Sequence, residues 1–305
     1  MINDKFKIIG GYVLICLIWG STWYAIKLGL NEFPPMYSAG LRFSLAAIFI
    51  YVFMILRGLR IQKDKTSIRL YWIMGIFSFV IPFSLVYWAE QYIPTGLASV
   101  LFATFPFFVT IFSKISLPDE SVDLFKAIGV VLGFAGIVVI FSDDISLNFK
   151  ISIAGMIAVI VSAAMQGGIA VMVKKYGKHL NPLSMNFIPL VIGGVVLLIA
   201  SLFFENLKGI EYSPVAIGSV IYLAFFGTLV TFTIYYWLMQ RINVVILSLS
   251  AFITPIIAVL IGWLFASEVF TVLDIAGSSL VLIGILFANF KGLMSFIKSN
   301  KGITG

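Results

Sequence analysis

The sequence has little of what most enzymes and metal-binding proteins use for chemistry. It contains one cysteine, Cys16, within an apolar run, and one histidine, His179, in a basic loop. A single cysteine excludes an intramolecular disulfide, and no cluster of thiols or imidazoles is present to hold a metal ion. No glycine-rich stretch ends in Gly-Lys-Ser or Gly-Lys-Thr, so a nucleotide-binding loop of that kind is absent. We therefore expect no cofactor, no bound metal and no enzymatic activity.

Charge is also scarce, at 11% of the residues, whereas 61% are hydrophobic and the mean hydropathy is +1.10. A water-soluble fold of 305 residues cannot bury that much apolar surface. A helix needs about 20 mainly apolar residues to cross the hydrocarbon core. We read ten such runs, at 8–28, 37–56, 70–90, 95–113, 124–142, 152–173, 183–204, 213–238, 244–265 and 271–290.

The net charge of +7 reflects where the cations lie rather than a surface for nucleic acid. If the N-terminus is cytoplasmic, sixteen of the 20 lysines and arginines fall on cytoplasmic segments. Such a bias sets the orientation of a membrane protein. We predict a multi-pass protein of the bacterial cytoplasmic (inner) membrane with both termini in the cytoplasm, and no nucleic-acid partner.

An internal repeat divides the chain. The stretch 87–93 (YWAEQYI) returns at 236–242 (YWLMQRI), and an ordered series follows at nearly the same offset. That series pairs Gly20 with Gly167, Lys27 with Lys174, Ser99 with Ser248, Pro106 with Pro255, Glu120 with Glu268, Gly129 with Gly277, and Gly136 with Gly284. Such repeats are frequent in transporters.

Ten spans in two repeats give five spans each, and an odd number forces the second copy to enter the membrane from the opposite side. The predicted fold is all-α and integral to the membrane, with two inverted five-helix repeats at 1–145 and 146–290 and a basic cytoplasmic tail at 291–305. In such folds the substrate site lies near the membrane midplane, between the repeats.

The opening of the chain resembles an EamA domain of the drug/metabolite transporter superfamily. The resemblance is carried by Trp19-Gly20-Ser21-Thr22-Trp23 with Lys27, by Pro34-Pro35 and by Arg42-Phe43, followed by the proline and glycine series above. It implies a ten-helix carrier that exports amino acids or related metabolites from the bacterial cytoplasm. The second copy departs from this pattern, with Met165–Gly168 in place of Trp19–Thr22 and Pro189 in place of Arg42, which predicts unequal contributions to the site.

Arg42 is the most informative single residue, because a fixed cation inside a span is costly. It either docks a substrate carboxylate or gates the pathway with Glu90, or else forms a structural ion pair or extends outward to the interface. Glu90 is read equally as a solvated helix end and as a functional carboxylate. Lys27 lies on one helical face with Trp23 and is either an interfacial anchor or part of a gate.

Tyrosine and tryptophan inside a span need a polar partner. Trp19, Trp23, Tyr87, Tyr236 and Trp237 either line a cavity or form interfacial belts. The inverted repeat places Tyr87 and Tyr236 near opposite faces, which favours belts or a pair of gates.

Uncharged polar residues supply the candidates at the midplane. Gln166 and Asn186 either bind substrate or hold helices together by hydrogen bonds. Pro106 and Pro255 occupy matched positions in the fourth and ninth spans, where each removes a backbone donor. We predict that these prolines are hinges, with close packing as the alternative.

These features together predict a secondary transporter that exports small amphipathic metabolites, most simply amino acids, by alternating access. A channel-like facilitator and an efflux carrier for drugs or toxic compounds are the alternatives. The expected partners are a small-molecule substrate and the lipid bilayer. A monomer is predicted, and a homodimer remains open.

Overall fold

The computed structural model describes residues 2–116, 124–143, 149–177, 179–242, 247, 250–268, 270–288 and 290. These residues form helices joined by short connections, and no strand occurs among them. Helices of the first half are α1 (Ile2–Leu30), α2 (Pro35–Leu56), α3 (Lys65–Met74), α4 (Ile81–Ala89), α5 (Thr95–Phe102), α6 (Phe105–Ser116) and α7 (Leu124–Asp143). Those of the second half are α8 (Phe149–Tyr176), α9 (Pro182–Phe204), α10 (Pro214–Ala224), α11 (Thr231–Met239), α12 (Ser250–Phe265) and α13 (Val272–Ala288).

Helix starts follow simple sequence signals. Proline occupies the first turn of α2, α9 and α10, where its missing N–H is not needed. Side chains of Asp64, Asn181 and Ser213 accept hydrogen bonds from backbone N–H groups in the first turns of α3, α9 and α10. Within the helices the residues are almost all apolar, so each helix satisfies its own backbone while exposing hydrocarbon.

Two π-helical segments interrupt the regular helix at matching places in the two halves. Gly75–Val80 joins α3 to α4, and Phe225–Val230 joins α10 to α11, at an offset of 150. A π-helical segment widens the turn and leaves carbonyl groups open to side-chain partners. The apolar runs at 70–90 and 213–238 gave no sign of these segments, because apolar spacing does not distinguish the two kinds of turn.

The fourth span is also not one helix. Helix α5 ends at Phe102, a turn follows at Ala103 and Thr104, and α6 begins at Phe105. Pro106, in the first turn of α6, has no N–H to continue the ladder of α5. By contrast, Pro255 lies inside α12, which continues through it. The hinge role proposed for both prolines stays a prediction.

The most extensive helix contacts join the first half of the chain to the second. Helix α7 packs along α13, α2 along α9 and α1 along α12, whereas α8 packs against α4 and α6. The two halves are therefore interleaved rather than side by side, and the space between α1, α4, α8 and α11 is enclosed by both.

Seven helices of the described part of the chain are long and apolar enough to cross a membrane. They are Phe6–Leu30, Pro35–Leu56, Lys65–Ala89, Thr95–Ser116, Lys150–Tyr176, Pro182–Phe204 and Pro214–Met239. Shorter apolar helices follow at Ile253–Phe265 and Val272–Gly284. The chain is thus an all-helical, multi-pass membrane protein. Glu120, Ser248 and the tail at 291–305 lie outside the described residues.

Candidate functional site

A cavity of about 150 Å³ lies between the two halves of the molecule. Because a water molecule takes up about 30 Å³ in the liquid, the cavity has room for about five waters or for a small solute. Its wall is mainly apolar and aromatic, with a few polar groups converging on it, which is the usual character of a small-molecule site. The predicted residues that line it are Trp19, Trp23, Arg42, Gln166 and Tyr236.

Arg42 lies on α2 in the wall of the cavity and is only 2% exposed. Its Nε donates to Thr228 Oγ1 at 2.9 Å, one terminal nitrogen to the Tyr87 hydroxyl at 3.2 Å, and the other to the Gly227 carbonyl at 3.1 Å. The side chain therefore does not extend outward to the interface. Among the described residues no carboxylate lies within ion-pair distance of it, which disagrees with the expectation of a structural ion pair.

Aromatic rings complete the surroundings of this cation. The guanidinium carbon lies 5.1 Å from the centre of the Phe83 ring and 5.5 Å from that of Phe43. Both distances allow a cation–π interaction. Ring faces and neutral hydrogen-bond acceptors thus stabilise the charge without cancelling it.

The second π-helical segment explains why Arg42 finds these acceptors. Gly227 and Thr228 lie within it, and the Thr228 hydroxyl donates in turn to the Leu223 carbonyl at 2.8 Å. In a regular helix those carbonyls would be bonded within the ladder. The widened turn instead presents a carbonyl and a hydroxyl to the arginine.

The first π-helical segment provides a carbonyl and a hydroxyl that hydrogen-bond to Gln166. Gln166 Nε2 donates to the Ser78 carbonyl at 2.8 Å, and the Ser78 hydroxyl donates to Gln166 Oε1 at 2.7 Å. Ser78 corresponds to Thr228 at the offset of 150. A neutral amide thus contacts the Ser78 hydroxyl, and a cation contacts the matching Thr228 hydroxyl.

Tryptophans of α1 supply much of the apolar wall. The Trp19 ring lies 5.6 Å from that of Phe232 and 5.3 Å from that of Tyr235, and Trp23 lies 5.7 Å from Phe102. All three pairs are tilted or edge-to-face. Trp19, Trp23 and Tyr236 border the cavity rather than forming belts alone.

A charged cluster lies beyond one end of the cavity. Lys27 Nζ is 3.7 Å from Glu268 Oε1, and the same oxygen accepts from the Thr95 backbone N–H at 2.8 Å and from its hydroxyl at 2.7 Å. Glu268 thus caps the start of α5 while it holds Lys27. Glu90, at the end of α4, is 0% exposed, so a solvated helix end is wrong for it.

The remaining predicted residues lie away from the cavity. Tyr87 is buried behind Arg42 and contacts the site through it. Asn186 is fully buried on α9, and its amide has no hydrogen-bond partner among the described residues. The guanidinium of Arg241 lies 4.2 Å from the Trp237 ring at the end of α11, a position suited to a belt or gate.

Sequence reasoning missed Ser78, Thr228 and Phe232 in the site and the pairing of Glu268 with Lys27. The correspondence of Ser78 with Thr228 was available in the sequence. Its offset, however, is one residue from that of the Tyr-Trp motif. The repeat matched Glu268 with Glu120 but did not indicate that Glu268 pairs with Lys27.

Two carboxyl groups outside the membrane spans help to fix helix ends. Hydrogen bonds from the Ser67 hydroxyl and backbone N–H lower the pKa of Asp64 at the start of α3. Burial raises the pKa of Glu205, while hydrogen bonds from the backbone N–H groups of Met36 and Tyr37 oppose that shift. Glu205, which follows α9, thereby caps the start of α2.

Comparison with known proteins places two parts of the chain in one family. The model of the EamA-like transporter family matches residues 7–142 and again residues 153–290. "Uncharacterized transporter YoaV" of Bacillus subtilis is 29% identical over 93% of this chain and 97% of its own length. "Uncharacterized inner membrane transporter YedA" of Escherichia coli K12 is 29% identical over 83% of this chain and 81% of its own.

"Protein PagO" of Salmonella typhimurium is 28% identical over 81% of each chain. A solved crystal structure superposes with a TM-score of 0.69, covering 93% of this chain and 97% of that one, at 16% identity. At that identity the likeness shows a shared fold and nothing more.

Proposed function

We propose, because this chain belongs to the EamA-like transporter family, that it is a secondary transporter for small amphipathic metabolites that carry a carboxylate. Amino acids and related compounds are the solutes that fit best, and their export across the cytoplasmic membrane by alternating access is the expected activity. The observation that carries the proposal is Arg42, a buried cation in the wall of a small aromatic cavity. Membership of a transporter family supports a carrier rather than an enzyme.

Arg42 supports a carboxylate because its positive charge is bound but not neutralised. Its three hydrogen bonds occupy three of the five guanidinium N–H groups, and all go to neutral oxygens. A charge in such a setting is costly unless a counter-charge joins it. A solute carboxylate would supply that charge through two parallel hydrogen bonds, the geometry that arginine favours.

The aromatic walls support an amphipathic solute of modest size. Trp19 and Tyr235 line the cavity with aromatic rings, whose faces suit an apolar side chain. The same faces attract an ammonium group. A volume of about 150 Å³ favours a molecule of amino-acid size over a large drug.

Alternating access requires two bundles that rock against each other around a fixed site. We infer ten helices in two inverted repeats, a proposal supported by the two family matches and by the π-helical segments at corresponding positions. The packing of α1 on α12 and of α8 on α6 gives the interleaving that this arrangement needs. The printed name of the Escherichia coli relative supports the inner membrane as the location. We propose a monomer as the working unit.

Counterflow in proteoliposomes tests the proposal. Vesicles loaded with each of the 20 common amino acids in turn are diluted into a trace of the same labelled amino acid. A carrier accumulates label transiently and saturates, and we expect this for a subset of apolar amino acids. Label that enters without trans-acceleration or saturation would instead indicate a channel. If no amino acid exchanges in either direction, the assignment to amino acids fails.

A further inference from the structure

We propose that Glu90 is the proton-binding residue of a proton–solute exchange, and that its protonated form keeps one end of the pathway closed by leaving Lys27 bound to Glu268. The inference rests on the transport function proposed above. It adds the coupling ion and the residue that carries it.

The first observation is the isolation of the Glu90 carboxyl group. The residue is 0% exposed, and neither of its oxygens has a hydrogen-bond partner among the described residues. Burying a carboxylate without hydrogen bonds or a counter-ion is strongly unfavourable, whereas a protonated carboxylic acid is tolerated. This arrangement therefore suits the protonated form of Glu90.

The second observation is that Lys27, a cation whose charge acts on Glu90, is paired with Glu268. The charges that act on Glu90 are those of Lys27 on α1, Glu268 after α12 and Arg42 on α2. Lys27 is already paired with Glu268 at 3.7 Å, and Arg42 is held by neutral acceptors that include Tyr87, one turn before Glu90.

Within the described part of the chain, the other elements at this place bring no further cation. Helix α8 meets the end of α4 at Gly155, which lies against Ala89, and α5 contributes the Thr95 hydroxyl to Glu268. Glu268 is thus the carboxyl group that holds Lys27, and Glu90, on which the charge of Lys27 acts without a direct pair, is the one that can take a proton.

The cluster of Lys27, Glu90 and Glu268 lies next to the solute cavity. Trp23 and Val86 line the cavity, and Lys27 and Glu90 follow them by four residues on their helices. One helical turn is about 5–6 Å. The cluster therefore lies directly beyond the cavity at one end, where Lys27 joins α1 to the Glu268 segment.

Proton exchange would then move Lys27. When Glu90 is protonated, Lys27 remains with Glu268 and ties α1 to the start of α5, as described here. When Glu90 loses its proton, a second carboxylate draws Lys27 away and loosens that contact. The proton comes from water on one side of the membrane, binds one carboxylate oxygen, and returns to water on the other side. One proton would cross for each solute that crosses in the opposite direction.

An infrared measurement tests proton binding without any solute. Purified protein in lipid nanodiscs is titrated across neutral pH while the C=O stretch of protonated carboxyl groups is recorded. We expect a band in the wild type that is absent in Glu90→Gln and retained in Glu211→Gln, a control at an exposed acid. Both variants must elute as single species of wild-type size. A band unchanged in Glu90→Gln would overturn the proposal.

A transport measurement tests coupling. With the amino acid that gives the strongest counterflow, a gradient of one pH unit should support up to about tenfold accumulation by the wild type and by Glu211→Gln, since one proton is exchanged for each solute. In Glu90→Gln the gradient should drive no accumulation, and the exchange rate should no longer depend on pH. Accumulation by Glu90→Gln equal to that of the wild type would contradict the proposal. If no amino acid exchanges even in the wild type, the amino-acid assignment fails, and the infrared band alone decides whether Glu90 binds the proton.

Discussion

The internal repeat is conserved in role at the interface between α7 and α13 but not in the wall of the cavity. At the interface, residues at matching positions of the two halves both allow the helices to pack closely. A methyl group built on Gly136 would lie 2.5 Å from the Gly277 carbonyl oxygen, and one built on Gly284 would lie 2.6 Å from the Gly129 carbonyl oxygen. In the cavity wall the matched positions differ, because Arg42 of the first half has Pro189 as its counterpart.

This difference shows that positions for helix packing are alike in the two halves, whereas positions for solute binding are not. Two helices that cross closely need small residues on both sides, so the same glycines serve in each half. A solute with a carboxylate at one end and an apolar group at the other needs unlike walls. The cavity meets that need with a cation beside Thr228 and a neutral amide beside Ser78.

The largest expected effect concerns the matched interface. Gly136→Leu and Gly284→Leu should each prevent recovery of folded protein, because the added side chain would meet backbone atoms that cannot move aside. Overpacking costs about 1–3 kcal/mol where side chains can shift and more where only backbone is in the way. The yield of a single species after size-exclusion chromatography and the thermal unfolding temperature measure this.

Gly218→Leu is the matched control, since nothing lies within 4 Å of a methyl group built there. Similar losses in the two interface variants, with a normal control, would support equal roles for the two halves. A severe loss in only one of them would break the symmetry that the packing implies.

The second prediction concerns the unmatched wall. Arg42→Ala should lower counterflow by about 100-fold, because hydrogen bonds to a charged group contribute about 1.5–3 kcal/mol and the carboxylate loses the counter-charge in the cavity wall. Arg42→Lys should recover part of the rate, since lysine keeps the charge but cannot form the two-pronged contact.

Arg57→Ala provides the control, as an exposed arginine at the end of the same helix. A thermal-shift screen with amino acids should show ligand stabilisation in the control and in the wild type but not in Arg42→Ala. Equal stabilisation in Arg42→Ala would contradict carboxylate docking, even if transport fell.

Sequence alone could predict the helices and several residues of the cavity. Apolar runs of membrane length mark where helices lie, and a cation such as Arg42 or an amide such as Gln166 within such a run stands out because it is costly there. The membrane character and the family followed from these patterns and from the ordered repeat.

The features that could not be predicted depend on contacts between residues that are distant in sequence or on the local type of helical turn. The apolar pattern of a run is the same whether the turn is α or π, so the segment at Gly75–Val80 could not be predicted. Pro106 marked the region of the break after Phe102 but not the residue at which α5 ends. The sequence also favoured a belt or gate role for Tyr236, which would lie outside the cavity. That role follows from the depth in the membrane that the repeat gives Tyr236, whereas the residue lines the cavity because its face of α11 turns inward. Pairing of Lys27 with Glu268 joins residues far apart in sequence.

The smallest effects are expected at the two hydroxyl groups of the π-helical segments, where the cationic and neutral walls can be compared directly. Thr228→Val removes the acceptor of Arg42 Nε, and a buried charged donor left without a partner costs more than a neutral one. Ser78→Ala removes one of two hydrogen bonds to Gln166, which keeps its bond to the Ser78 carbonyl. We therefore expect the apparent affinity for solute in counterflow to fall about tenfold in Thr228→Val and about threefold in Ser78→Ala. Thr228→Ser, which restores the hydroxyl, should return the affinity to near that of the wild type. If Ser78→Ala were the more damaging variant, the neutral wall rather than Arg42 would dominate recognition, because the hydroxyl that it removes lines the cavity and donates to Gln166.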